Sequence, residues 1–111
     1  MDIEEKIDLL DFQLSLLFEN RDIDRFIYES KISRDELNAI MDYLDLLRSR
    51  LDNGEEISHM EYECEIYNIV PSKNGDYHFC ELIAKLFAEE GQWEEVFSAL
   101  YGSMPKYSGK I

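Results

Sequence analysis

Several residue types that commonly carry chemistry are scarce in this chain, and each scarcity removes a class of function. There are two cysteines, Cys64 and Cys80, without the C-x-x-C spacing of a zinc ribbon or a redox pair. Two reduced, half-buried thiols in a reducing compartment are the expectation. The two histidines, His59 and His78, each have a carboxylate nearby in sequence, Glu63 for the first and Asp76 or Glu81 for the second. A chain with 25 acids places a carboxylate near any histidine by chance, and no H-E-x-x-H is present. Both read as surface or helix-start histidines, and no metal is expected. The five glycines are dispersed, so no phosphate cradle forms, and no G-x-S-x-G elbow presents a nucleophile. Catalytic residues and cofactors are therefore expected to be none.

Bases are scarce as well. Eleven stand against 25 acids, a formal net charge of −14, which disfavours direct binding to nucleic acid phosphates or anionic lipid and attracts basic proteins instead. No apolar run approaches the length that spans a bilayer, and the start, Met-Asp-Ile-Glu-Glu-Lys, is acidic where a signal peptide would be basic. A cytoplasmic protein without membrane association is the expectation.

What the chain does have is apolar and aromatic side chains, 45% and 13% of the residues, too many for a disordered polypeptide of this charge. Their spacing is helical. Ile3, Ile7, Leu10, Leu14 and Leu17 step by four, three, four and three, the alternation of an a/d seam, and Leu9, Phe12, Leu16 and Phe18 add a second apolar flank. A helix to about Asn20 with more than one partner follows. Asp22 or Asp24 can cap a two-turn connector holding Phe26, Ile27 and Tyr28. Ser33-Arg-Asp-Glu36 is a capping box, and Leu37, Ile40, Leu44, Leu47 and Leu51, with Met41 and Leu46 beside them, predict a long helix ending at Gly54, the mate of the first. Ser58-His-Met-Glu61 is a second such box. The segment after it, up to Pro71, reads as helix because Met60, Cys64 and Tyr67 keep helical spacing, although Ile66, Tyr67, Ile69 and Val70 would also suit a strand.

The closing stretch is the most sharply punctuated. Asp76 caps a helix carrying Phe79, Leu82, Ile83, Leu86 and Phe87; Gly91 ends it; Trp93, Val96, Phe97, Leu100 and Tyr101 form a second, which Gly102 ends. The expected fold is all-α, five to six helices in a compact bundle with a C-terminal helical hairpin. It forms a single domain over residues 1–102, followed by a loose basic tail, 103–111, with Lys106 and Lys110.

Two surfaces are candidates for function. The seam of Ile3, Ile7, Leu10, Leu14 and Leu17 suits self-association as a homodimer, because the first and third helices carry more apolar surface than one small monomer readily covers. Core packing is the competing role for each residue. Glu55, Glu56, Glu61, Glu63, Glu65, Glu89, Glu90, Glu94 and Glu95 are a candidate acidic face for a basic protein partner, even as an inhibitor that imitates nucleic acid, against the simpler role of a solvated surface. The aromatics Tyr77, Phe79, Phe87, Trp93, Phe97 and Tyr101 read as core rather than as a groove.

The N-terminal Ile7, Leu10, Leu14 seam, the aromatic connector Phe26-Ile27-Tyr28, the Ser33 to Glu36 helix start and the closing Phe87 with Gly91-Gln92-Trp93-Glu94-Glu95-Val96-Phe97 together resemble the YhaI-like proteins, a small bacterial family of unknown function. The resemblance spans roughly Ile3 to Gly102, and the stretch from Asn53 to Asp76 departs from it. It implies an all-α, dimeric protein and supplies no catalytic residues.

Overall fold

Five of the six helices begin where a polar side chain takes up a free backbone N–H group, and the last begins at Trp93 without one. In the computed structural model, which describes residues 2–104, these are α1 (Ile3–Glu19), α2 (Asp22–Ser30), α3 (Arg34–Asp52), α4 (His59–Ile69), α5 (Tyr77–Glu89) and α6 (Glu94–Tyr101), with a short 3-10 turn at Pro71–Lys73. No strand occurs among the described residues, and the segment before Pro71 is helical as its spacing predicts. The basic tail expected from residue 103 is described only at Ser103 and Met104. The Met104 N–H donates to the Tyr101 carbonyl at 3.0 Å, and residues 105–111, with both tail lysines, lie outside the described residues.

Caps form largely where the sequence places them. Ser33 Oγ accepts the Glu36 N–H at 3.1 Å while Glu36 Oε1 accepts the Ser33 N–H at 2.9 Å, the full reciprocal box. At Ser58 only half of that box is present: Ser58 Oγ accepts the Glu61 N–H at 3.2 Å, but the Glu61 carboxylate turns away to the Arg50 guanidinium. Asp76 Oδ1 accepts the Phe79 N–H at 3.1 Å and starts α5. Gly91, at φ +81°, supplies the left-handed residue that folds α5 into α6 across the four residues 90–93. Trp93 is left-handed too, at φ 55°, a conformation that disfavours a bulky side chain. It is held by an Nε1–H bond to Asp45 Oδ1 at 2.8 Å and by an edge-on contact with Phe87, 5.1 Å between centroids.

The connector departs from expectation in its cap. Neither Asp22 nor Asp24 precedes α2; Arg21 does, and Asp24, in the first turn, reaches back to accept the Arg21 N–H at 3.1 Å and its Nε–H at 2.7 Å. Asp24 is buried, so the guanidinium neutralises a carboxylate that would otherwise stand uncompensated away from water. The same bond makes the Arg21 guanidinium still harder to deprotonate.

One continuous core joins all six helices, and its centre is α3, α4, α5 and α6. Ile40, Leu44 and Leu47 of α3 are buried and Leu37 and Leu51 half-buried, so the α3 seam is covered within the chain, where the helix packs on α4 and α6. This corrects the expectation that α3 mates with α1. The chief neighbour of α1 is α2, because the two-residue link Asn20-Arg21, with Asn20 left-handed at φ 52°, turns the chain straight back and leaves no room for a distant helix between them. The surplus of apolar surface expected on two helices is thus found chiefly on α1, with Leu46, 55% exposed, the one residue of the α3 set left open.

Replacing Asp24 by Ala removes the only acceptor described for the Arg21 N–H and should lower stability by ~1–3 kcal/mol, read as a fall in the urea midpoint at unchanged slope. Asp22→Ala, which removes an exposed ion pair with Arg25, should shift stability by less than ~1 kcal/mol. Equal effects from the two would show that the buried contact adds nothing.

Candidate self-association surface

The first helix is well specified by its own ends. Asp2 Oδ1 accepts the Glu5 N–H at 2.8 Å, Glu4 and Glu5 place negative charge at the positive end of the helix dipole, and the Asn20 N–H closes the other end on the Leu16 carbonyl at 2.9 Å. Along this rod the apolar residues divide into two stripes. Phe12 and Leu16 are buried and Leu9 half-buried, one helical face against α2. The seam lies elsewhere: at ~100° per residue its centre is roughly 150° around the helix from the buried stripe. All five seam residues are exposed, between 48% for Leu17 and 73% for Ile3.

Phe18 belongs with the seam. Grouped by sequence with Leu9, Phe12 and Leu16 on a second flank, it departs from them: it is 86% exposed and with Asp11, Leu14, Ser15 and Glu19 lines a shallow depression of about 270 Å³ on the outer side of α1. The signal was available, since Phe18 is four residues beyond Leu14 and one beyond Leu17. Arg34 is a residue that local spacing could not have found. It faces Asp8 at 3.9 Å and Asp11 at 3.5 Å, and its guanidinium lies 5.0 Å from the centre of the Phe12 ring, clamping α1 to the start of α3 from more than twenty residues away.

The nine candidate glutamates are dispersed. Glu55 and Glu61 meet Arg50. Glu63 is half-buried and accepts the Tyr101 Oη–H at 2.6 Å, while Glu65, on the opposite side of α4, accepts from Asn68 Nδ2 at 3.1 Å. Glu56 is exposed in the loop before α4. Glu89 and Glu90 close α5, and Glu94 and Glu95 open α6, where the helix dipole accounts for their charge. The hairpin turn is where exposed acids gather; those of α4 divide between its two sides.

The remaining candidates divide between interior and surface. Trp93 is buried, so the aromatic cluster is core at that point, and Tyr77 is exposed beside His78, 4.2 Å between ring centroids. His59 lies half-buried against Tyr101 at 5.8 Å. Among the described residues no group of three or more His, Cys, Asp or Glu side chains converges as a metal site would require. Tyr62, fully buried, donates its Oη–H to the Cys80 carbonyl at 2.8 Å, stacks on Tyr43 and meets Tyr101 edge-on, each 6.2 Å between centroids. Burial disfavours the charged form of these groups and raises their pKa: Tyr43 to about 12, Cys80 to about 12, and Tyr62 and Tyr101 well above the ordinary phenol. Cys64 by contrast is exposed.

No family model, curated protein or solved structure matches the chain in comparison with known proteins. No helix among the described residues is long and apolar enough to cross a membrane.

Two measurements test the buried groups. One thiol per native chain, that of Cys64, should react with a neutral-pH thiol reagent and both after denaturation; rapid reaction of two native thiols would contradict the burial of Cys80. Because the folded chain holds protons that the unfolded chain releases, their contribution to stability is full below pH 9 for Cys80 and below pH 10 for Tyr43, and is lost as pH rises to about 12. The urea midpoint should therefore decline across that alkaline window, and a midpoint unchanged there would refute the assignment.

Proposed function

We propose that this is a cytoplasmic, non-enzymatic helical protein that self-associates as a homodimer through the outer stripe of α1 and acts through protein contacts. One observation carries the reading. Five seam residues on successive turns, with Phe18 beside them, are exposed as one strip on a helix whose other apolar face is already buried. Single exposed leucines are ordinary, whereas a contiguous strip is not. The strip and its ring are six large apolar residues, each about half exposed or more, a contiguous patch of the kind that marks an interaction site.

A second copy is the occupant that best fits. A seam of a/d spacing is complementary to itself under a two-fold axis, needing no other sequence to match its ridges. The body of each copy lies on the far side of α1, so its own α2 does not obstruct the approach. The dimer implied by the YhaI-like resemblance agrees with this proposal and is part of it. The alternative of an acidic inhibitor or nucleic-acid mimic, with no direct nucleic acid binding by the protein itself, has narrower support in the four glutamates around the α5–α6 turn.

Sedimentation equilibrium at micromolar concentration should give about twice the 13.2 kDa chain mass. Leu10→Glu and Leu14→Glu should return the mass to that of the monomer with helical circular dichroism intact, since both positions are exposed in the single chain. A wild-type protein that stays at 13.2 kDa throughout would refute self-association.

A further inference from the structure

We infer that two copies pair their first helices in parallel, in register, with Lys6 of each beside Asp11 of the other. This rests on the self-association proposed above and adds its orientation. The seam assigns Ile3, Leu10 and Leu17 to d positions and Ile7 and Leu14 to a positions. In a parallel pair each residue packs beside its own counterpart, giving five complete layers. An antiparallel pair sets a against d, and two a positions against three d positions allow four layers, leaving one exposed d residue per copy without a facing partner.

The flanking charges point the same way. Lys6 and Gln13 hold g positions, and Glu4, Asp11 and Phe18 hold e positions. Parallel pairing sets each g residue against the e residue five further on in the other copy. Lys6 then meets Asp11, and Gln13 lays its aliphatic stem along the exposed Phe18 ring. Antiparallel pairing sets the e flank against itself, so Asp11 meets either Glu4 or Asp11 of the second chain, like charge on like charge. Lys6 is exposed and has no ion-pair partner among the described residues. Asp11 faces Arg34 at 3.5 Å, a contact at the outer limit of hydrogen bonding that leaves a carboxylate 74% exposed for a second cation.

Cross-linking tests the orientation separately from the association. In a Cys64→Ser background, which removes the exposed native thiol, Ile3→Cys should form a disulfide-linked dimer under mild oxidation. Parallel pairing brings the two introduced thiols into one layer, within the ~7 Å Cα reach of a disulfide. Antiparallel pairing separates them by ~15 Å or more along the helix. Lys6→Glu should weaken the dimer several-fold, and Lys6→Glu with Asp11→Lys should recover most of the loss. If Ile3→Cys stays unlinked in a protein that sediments as a dimer, while a chain carrying both Ile3→Cys and Leu14→Cys links between copies, the parallel orientation is overturned and self-association stands. A wild-type monomer at every concentration overturns both.

Discussion

A helix can turn only one stripe toward its own fold, and α1 carries two. Apolar surface is driven from water roughly in proportion to its area, without direction, so the stripe that fails to find a neighbour within the chain keeps its full tendency to find one outside it. The inner stripe of Phe12 and Leu16 is enough to seat α1 on α2, and Arg34 fastens it to the start of α3. The other helices close a core among themselves and leave nothing with which to cover Ile3, Ile7, Leu10, Leu14 and Leu17. The rest of the structure can be read as a platform that holds this strip straight and open.

That platform absorbs the residue types that could have carried chemistry. The Cys80 thiol is buried and held protonated, Tyr62 and Tyr101 direct their hydroxyls to a carbonyl and a carboxylate, and Trp93 uses its indole N–H to tie the α5–α6 turn to α3. Among the described residues every buried side-chain nitrogen and oxygen has a hydrogen-bond partner. Such polar contacts fix one packing among many of similar apolar content, because an unsatisfied group in the interior is more costly than a satisfied one is favourable.

Charge shapes how the strip could be covered. All five arginines are already paired with carboxylates inside the chain, so the surface beyond them is dominated by acids and two copies repel at long range. Such repulsion fades beyond ~8 Å at physiological ionic strength, whereas apolar contact acts at the surface itself. An interface built on the seam therefore tolerates salt, while a basic partner drawn to the glutamates would be lost with it.

Elements whose signals are local were legible in the order of residues. Ser33 with Glu36, Asp76 and Gly91 mark helix ends because a cap or a left-handed turn is made by residues three or four apart, and the 3.6-residue spacing of Ile40, Leu44 and Leu47 declares a helix wherever it is finally buried. The same spacing in α1 and α3 looks alike on paper, and only the tertiary structure decided that one seam is interior and the other open, since burial depends on which helices the short links allow to meet. The anchoring of α1 by Arg34 from more than twenty residues away, the tie of Trp93 to Asp45 and the pairing of Glu63 with Tyr101 are set by contacts between residues far apart in the chain, which no local spacing announces.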